Sequence, residues 1–352
     1  MGRPVSAALL AKVLREPEAA TNLDPEQWSG IIAAARAEQL VASLAWRVDG
    51  LRLPSRVLAL LADAHAGGEE ARRAALWEAE MVRRVLQPLE TPFVLLKGTA
   101  FHAAGLSAAQ GRHVGDLDLL VARDQLASVE RALRGAGWES VKQDAYDDAY
   151  YRTWMHELPP LIHRDRDRMV DVHHTILPPT ARASPDAAAL LAAARPLGHG
   201  LHVLSPEDMV VHASLHLFAD GDLAGGLRNL WDIDRLLREF ADADEDFWLK
   251  LTARVAEHGA GAPVARAARL AHALFGTPVP GEWRAPAPGD GVFRRRLLAR
   301  DDWGREDRAA TRLAFYVRSH AIRMPPALLA RHLAIKGWKR WRGRRGKDRA
   351  RS

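Results

Sequence analysis

Residues 93–121, FVLLKGTAFHAAGLSAAQGRHVGDLDLLV, decide the fold. Asp116 and Asp118 stand one residue apart in an apolar run that favours a β-strand, whose side chains alternate between the two faces of a sheet. Both carboxylates therefore lie on one face, where each is expected to raise the pKa of the other. A divalent cation would remove that repulsion, and Mg²⁺ prefers hard oxygen ligands. The pattern favours metal-assisted phosphoryl or nucleotidyl transfer.

The segments around this stretch predict an α+β fold with a mixed sheet. Apolar residues at three- and four-residue spacing are typical of helices, and short apolar runs between turn residues are typical of strands. The predicted strands are 93–96, 116–121, 138–141, 150–156, 158–163 and 169–175. The short charged turn HRDRDR between the last two predicts a hairpin. The predicted helices are 25–48, 54–89, a helix after Gly98, 124–137, 206–219, 225–240, 245–258, 261–274, 291–300, 306–320 and 325–341.

These elements predict four parts of the chain. Residues 1–90 form an N-terminal helical region, and residues 91–200 form the α+β core. Residues 201–330 form a C-terminal helical domain, and residues 331–352 form a basic, partly disordered tail.

Composition excludes several classes of protein. The 352 residues are 48% hydrophobic and 27% charged, as in ordinary globular proteins. No apolar run reaches the length of a membrane span, and charges interrupt the N-terminal apolar segment too early for a signal peptide. Cysteine is absent, so disulfides and thiolate metal sites are excluded. A cytoplasmic protein fits best.

The net charge of +6 is concentrated in the tail. Residues 331–351 contain ten Lys or Arg and one acid, so this segment carries +9 and the remainder about −3. A basic nucleic-acid-binding surface on the body is therefore not indicated. Trp338 and Trp341 stand among the basic residues, which favours weak contact with RNA or a membrane surface as alternatives to a simple solvated end.

A family resemblance rests on four features in order: LLKGTAFHAAGL, then Arg112, then DLDLLV, then DVHHT. Together they resemble the uncharacterised bacterial nucleotidyltransferase family of the DNA polymerase β-like superfamily, over roughly residues 91–239. The resemblance implies a polymerase-β-like catalytic core in which Asp116 and Asp118 bind metal and Asp171 supplies the third carboxylate. Gly98 and Thr99 stand where the superfamily has a Gly-Ser step, with Thr replacing Ser and a longer interval before Asp116.

The resemblance also implies a reaction and its cofactors. The enzyme would use Mg²⁺ or Mn²⁺ to move an NMP from an NTP to a hydroxyl or phosphate of an unknown acceptor, a small molecule, peptide, protein or RNA, and release pyrophosphate. Lys97 and Arg112 would offset the triphosphate charge, and Gly98 would let the backbone approach a phosphate. Thr99 keeps the hydroxyl of the step. His173, on the strand face of Asp171, would orient a metal ligand or contact the nucleotide.

Other interpretations stay open. A non-catalytic binding module of the same fold, or a phosphotransferase that attacks the γ-phosphate, would use the same residues. Arg112 has a structural ion pair as its alternative role, and His173 has a half-buried place in the sheet. His212 and His216 share a helix face, but without a third ligand packing is favoured over zinc.

Overall fold

A computed structural model describes residues 6–141, 155–178, 181, 183–219 and 221–322. The predicted helix 325–341, most of the predicted strand 150–156 and the basic tail lie outside these residues. None of the described helices has the length and apolarity that crossing a bilayer requires.

The described helices and strands follow the predicted alternation. The helices are α1 (Ser6–Arg15), α2 (Pro25–Ala37), α3 (Val41–Arg47), α4 (Ser55–Leu86), α5 (Lys97–Ala103), α6 (Leu126–Gly135), α7 (Ala187–Ala192), α8 (Pro206–Ala219), α9 (Gly226–Ala243), α10 (Phe247–Glu257), α11 (Gly261–Phe275), α12 (Asp290–Leu297) and α13 (Ala309–Ala321). The strands are β1 (Val94–Leu95), β2 (Asp116–Leu120), β3 (Trp138–Ser140), β4 (Leu161–His163), β5 (Met169–His173), β6 (Arg195–Gly198) and β7 (Leu201–Val203).

The described strands form one seven-stranded mixed sheet in the order β3-β4-β5-β2-β1-β7-β6. Strand β2 lies at its centre, antiparallel to β1 and parallel to β5. In this register Asp118 lies opposite Asp171, and Leu117 lies opposite Val170. The α+β class and the mixed sheet are therefore confirmed, and the register brings two predicted metal ligands side by side.

Two hairpins show where local sequence was informative and where it was not. The predicted hairpin across HRDRDR is confirmed, because β4 pairs antiparallel with β5 and Ile162 lies opposite Met169. The hairpin of β6 and β7 was not predicted. Its first strand contains Pro196 and is exposed along its length, so it lacks the apolar alternation of a strand. Pairing of β7 with β1 extends the sheet to Val203.

The helices that precede the α+β core in the sequence and those that follow it share one apolar cluster with the sheet. The predicted helix 25–48 is broken into α2 and α3 at Gln39, whose φ of 56° is left-handed. Gly111 also has a positive φ, 65°, and a Cβ there would lie 2.2 Å from the Ala42 carbonyl carbon. Only glycine fits this contact, so the loop before β2 is held tightly against α3.

Candidate active site

Three carboxylates converge on one face of the sheet. Asp116 and Asp118 alternate with buried leucines on β2, and Asp171 lies on the neighbouring β5. One oxygen from each of the three lies within 4.8 Å of the others. Oδ1 of Asp171 is buried and has no hydrogen-bond partner among the described residues. The fold therefore brings the three predicted metal ligands together, and one of their oxygens, Asp171 Oδ1, has no hydrogen-bond donor among the described residues.

Asp118 is the best-compensated acid of the three. Its Oδ1 accepts from Lys97 Nζ at 2.7 Å and lies 2.9 Å from His173 Nε2, and the residue is only 2% exposed. Burial opposes its charge, but Lys97 and His173 outweigh burial and hold the pKa of Asp118 well below its usual range. The expectation that the paired acids raise each other's pKa is therefore wrong for Asp118, because Lys97 and His173 both reach its Oδ1.

Asp116 behaves as the sequence predicts, and the pKa of Asp171 is raised as well. Burial is the main cause that raises the pKa of Asp116, and the charge of Asp118 adds to it. Burial, followed by Asp118 and Glu157, raises the pKa of Asp171 to about 7. Among the described residues, no cationic side chain donates a hydrogen bond to either carboxylate, so a bound cation would stabilise both ionised forms.

Lys97 is held in an uncommon backbone conformation at the start of α5. Its φ of 49° is left-handed, a region that non-glycine residues seldom occupy outside functional sites and turns. Burial opposes its charge, but Asp118 and Asp116 outweigh burial and raise the pKa of Lys97. The ammonium therefore points at the carboxylates, and its contact with a triphosphate stays a prediction.

Gly98 is required by the side chain of Arg112. A Cβ on Gly98 would lie 2.6 Å from Arg112 Nε and 2.8 Å from a methyl group of Val114. The Arg112 guanidinium fills this space and lies 5.7 Å from the centre of the Phe101 ring. Thr99 is 1% exposed and its hydroxyl has no partner among the described residues, so it lies beneath the site.

A cavity of about 400 Å³ opens beside the carboxylates. It lies between the sheet, the end of α2 and the start of α9, so that residues distant in sequence share its wall. Asp171, Thr99 and His173 are not part of this wall. The charged and polar side chains that line it are Glu38, Gln39, Lys97, Arg112, His113, Asp116, Asp118, Arg228 and Asn229.

The comparison with known protein families agrees with this arrangement. The model of a family described as uncharacterised nucleotidyltransferase matches residues 24–276. The chain belongs to this family. Membership supports a general role in nucleotidyl transfer, and the match includes every candidate residue above as well as α2 and α9. No curated protein and no solved structure matches the chain.

In this nucleotidyltransferase, sequence reasoning missed Glu157. Its Oε2 lies 3.3 Å from His173 Nδ1, and the two residues form an isolated β-bridge. Burial chiefly raises the pKa of Glu157, against the lowering effect of His173. His173 thus lies between two carboxylates, Glu157 and Asp118. The available signal was the charged residue directly before the predicted strand 158–163.

His212 and His216 lie close to each other and near this charge cluster. Their ring centroids are 6.4 Å apart. Burial is the main cause that lowers the pKa of both, that of His216 to about 3. Neither belongs to a group of metal-donor atoms found among the described residues. The lowered pKa values favour the neutral form of both rings.

Proposed function

We propose that the protein is a Mg²⁺- or Mn²⁺-dependent nucleotidyltransferase with a polymerase-β-like core at residues 91–200. It transfers an NMP from an NTP to a hydroxyl or phosphate of an acceptor and releases pyrophosphate. The observation that carries this proposal is the convergence of Asp116, Asp118 and Asp171 across two parallel strands. An enzyme that consumes NTPs needs the cytoplasmic pool, where we expect it to act.

The residues present fit a hard divalent cation. All three donors are carboxylates, and Oδ1 of Asp171 is a buried acceptor without a partner among the described residues. In enzymes of this chemistry, two such cations stabilise the attacking and leaving oxygens. Asp116, Asp118 and Asp171 would hold them. The raised pKa of Asp116 and Asp171 supports this role, because cation binding replaces the proton that burial favours.

Lys97 and His173 prepare the site without binding the cation themselves. Both donate toward Oδ1 of Asp118, which keeps this carboxyl ionised and fixes its orientation. Glu157 lies 3.3 Å from the other ring nitrogen of His173. The ligand set is therefore preorganised before substrate enters.

The cavity suggests the scale of the substrates. About 400 Å³ falls within the range of small-molecule sites, enough for a nucleotide and the reacting end of an acceptor. The mildly acidic body favours a small molecule, peptide or protein as acceptor, and the basic tail leaves RNA as the alternative.

The test uses the four α-labelled NTPs with Mg²⁺ or Mn²⁺ and a cell extract as the source of acceptor. We expect the wild-type protein to transfer label from at least one NTP and Asp171→Asn to transfer none. Parallel reactions with γ-labelled NTPs identify a phosphotransferase, because that label would then move instead. A lack of transfer from every NTP, or transfer that Asp171→Asn leaves intact, would contradict the proposal.

A further inference from the structure

A second charged cluster borders the same cavity on the side of α9, and its two arginines, Arg112 and Arg228, line the cavity. Asp232 binds two arginines with separate oxygens. Its Oδ2 accepts from Arg112 at 2.6 Å, and its Oδ1 lies 3.3 Å from Arg228 Nε, an ion-pair distance. Arg112 comes from the loop before β2 and Arg228 from the first turns of α9, so the cluster joins the core to the C-terminal helices.

The charges in this cluster do not balance. Two guanidinium groups share one carboxylate, which leaves an excess of one positive charge beside the cavity. Arg228 is only 4% exposed, and its second terminal nitrogen is buried without a hydrogen-bond partner among the described residues. Burial lowers the pKa of Arg228 to about 10, and repulsion from Arg112 contributes. A purely structural ion pair would satisfy these groups, because unpaired buried charge is costly.

The position of Arg228 is fixed by groups outside the cavity. Its other terminal nitrogen donates to Ser43 Oγ on α3 at 2.5 Å. Ser43 donates in turn to the Gln110 carbonyl at 2.8 Å. The close contact of Gly111 with α3 holds the loop that carries this carbonyl. The guanidinium is therefore preorganised, with one terminal nitrogen left without a partner among the described residues.

We infer that Arg112 and Arg228 form a polyphosphate subsite that holds the β- and γ-phosphates of the NTP, with Asp232 and Ser43 as positioning residues. The inference rests on the proposed function and adds the residues that hold the leaving group. Paired guanidinium groups match phosphate oxygens in charge and planar geometry. The carboxylates Asp116 and Asp118 line the same cavity, so the α-phosphate can lie near them while the two arginines hold the terminal phosphates.

The test measures binding of inorganic triphosphate and of pyrophosphate by calorimetry in the presence of Mg²⁺, so that neither the base nor turnover matters. We expect Arg228→Gln to bind both about 10- to 100-fold more weakly than wild type, as for loss of charge-assisted hydrogen bonds. Arg228→Lys keeps the charge but not the planar fork and is expected to fall between them. Arg228→Lys also replaces Arg228→Gln in the binding test if the Gln variant does not fold.

The matched control is Arg296→Gln. Arg296 is 5% exposed and paired with Glu306, but it is not part of the cavity wall. We expect it to bind triphosphate as wild type does. A second series compares NMP, NDP and NTP of one base. The effect of Arg228→Gln should be absent with the NMP and largest with the NTP, and an equal effect on all three would overturn the subsite.

The two proposals fail separately. If wild type and Arg228→Gln bind triphosphate equally, or wild type binds none, the subsite is wrong even where label transfer proceeds. If triphosphate binding depends on Arg228 but no NTP donates label, the subsite stands and the transfer reaction is wrong.

Discussion

Two groups of acids in this protein, one partly buried and one fully buried, differ in how their charge is compensated. On the sheet, Asp116 and Asp171 lack cationic hydrogen-bond partners among the described residues. On α8, Asp208 is fully buried, with Arg254 donating to both of its oxygens at 2.8 and 2.5 Å. His258 lies 3.2 Å from it, and together these partners outweigh burial and lower the pKa of Asp208.

The difference separates acids that hold the fold together from acids that wait for a ligand. Asp234 on α9 follows the pattern of Asp208, because Arg235, Arg238 and Thr277 all donate to it. A buried carboxylate with a full set of donors contributes to stability. A buried carboxylate left without donors lowers stability, and the metal-dependent chemistry proposed here gives a reason for it to be kept.

The largest expected effect is on catalysis. Asp116→Asn and Asp171→Asn should each lower the turnover of the label-transfer reaction by at least about 1000-fold, because each removes a ligand to the cations that stabilise the transition state. The free energy of unfolding should stay the same or rise, since the neutral amide removes a carboxylate whose charge is disfavoured. Turnover and urea denaturation measure the two effects.

Asp118→Asn sharpens this prediction. Turnover should fall as far, but the unfolding free energy should fall too, because the charge that Lys97 and His173 share as acceptor is lost. Equal stability of all three Asn variants would contradict the contrast drawn among these acids.

The second effect is on stability alone. Asp208→Asn should lower the free energy of unfolding by about 3 kcal/mol, because Arg254 and His258 would be left without their buried partner. Asp208 is not part of the cavity wall, so the folded fraction should keep wild-type turnover. An Asp208→Asn variant that is as stable as wild type but inactive would contradict the structural role assigned to Asp208.

The smallest effect is a pH dependence. In metal-free protein, Asp171 titrates near 7 when folded, against about 4 in the unfolded chain. Between these values the folded state holds the extra proton, so this contribution to stability is present at low pH and lost as pH rises toward 7. Asp171→Asn lacks it. The unfolding free energy of wild type minus that of the variant should therefore fall, on the order of 2 kcal/mol, from pH 5 to 8.

The difference in unfolding free energy between wild type and Asp171→Asn is measured because two histidines also make stability depend on pH. Burial is the main cause that lowers the pKa of His156 and of His216 to about 3. These residues destabilise both proteins as pH falls below the ordinary histidine range, with the opposite sign. Their contribution cancels in the subtraction, and a difference that stays flat with pH would show that folded Asp171 is ionised throughout.

Sequence reasoning succeeded where the signal was local. The alternation around Asp116 and Asp118 predicts their shared face, and the apolar neighbours of Asp171 place it in a strand. It failed for the Glu157 contact and for the contacts of Arg112 with Asp232 and of Arg228 with Ser43. Each of these contacts joins two different segments of the chain, and no spacing within one segment encodes them.

The sequence by itself determined most of the element types, the mixed sheet and the acids expected to share one face, because strand and helix periodicity are properties of neighbouring residues. Only the tertiary structure decided which carboxylates are compensated. Lys97 and His173 reach Asp118 but leave Asp171 unsatisfied, and Ser43 meets Arg228 across the cavity wall. Electrostatic compensation depends on distance through space, which the order of residues along the chain does not fix.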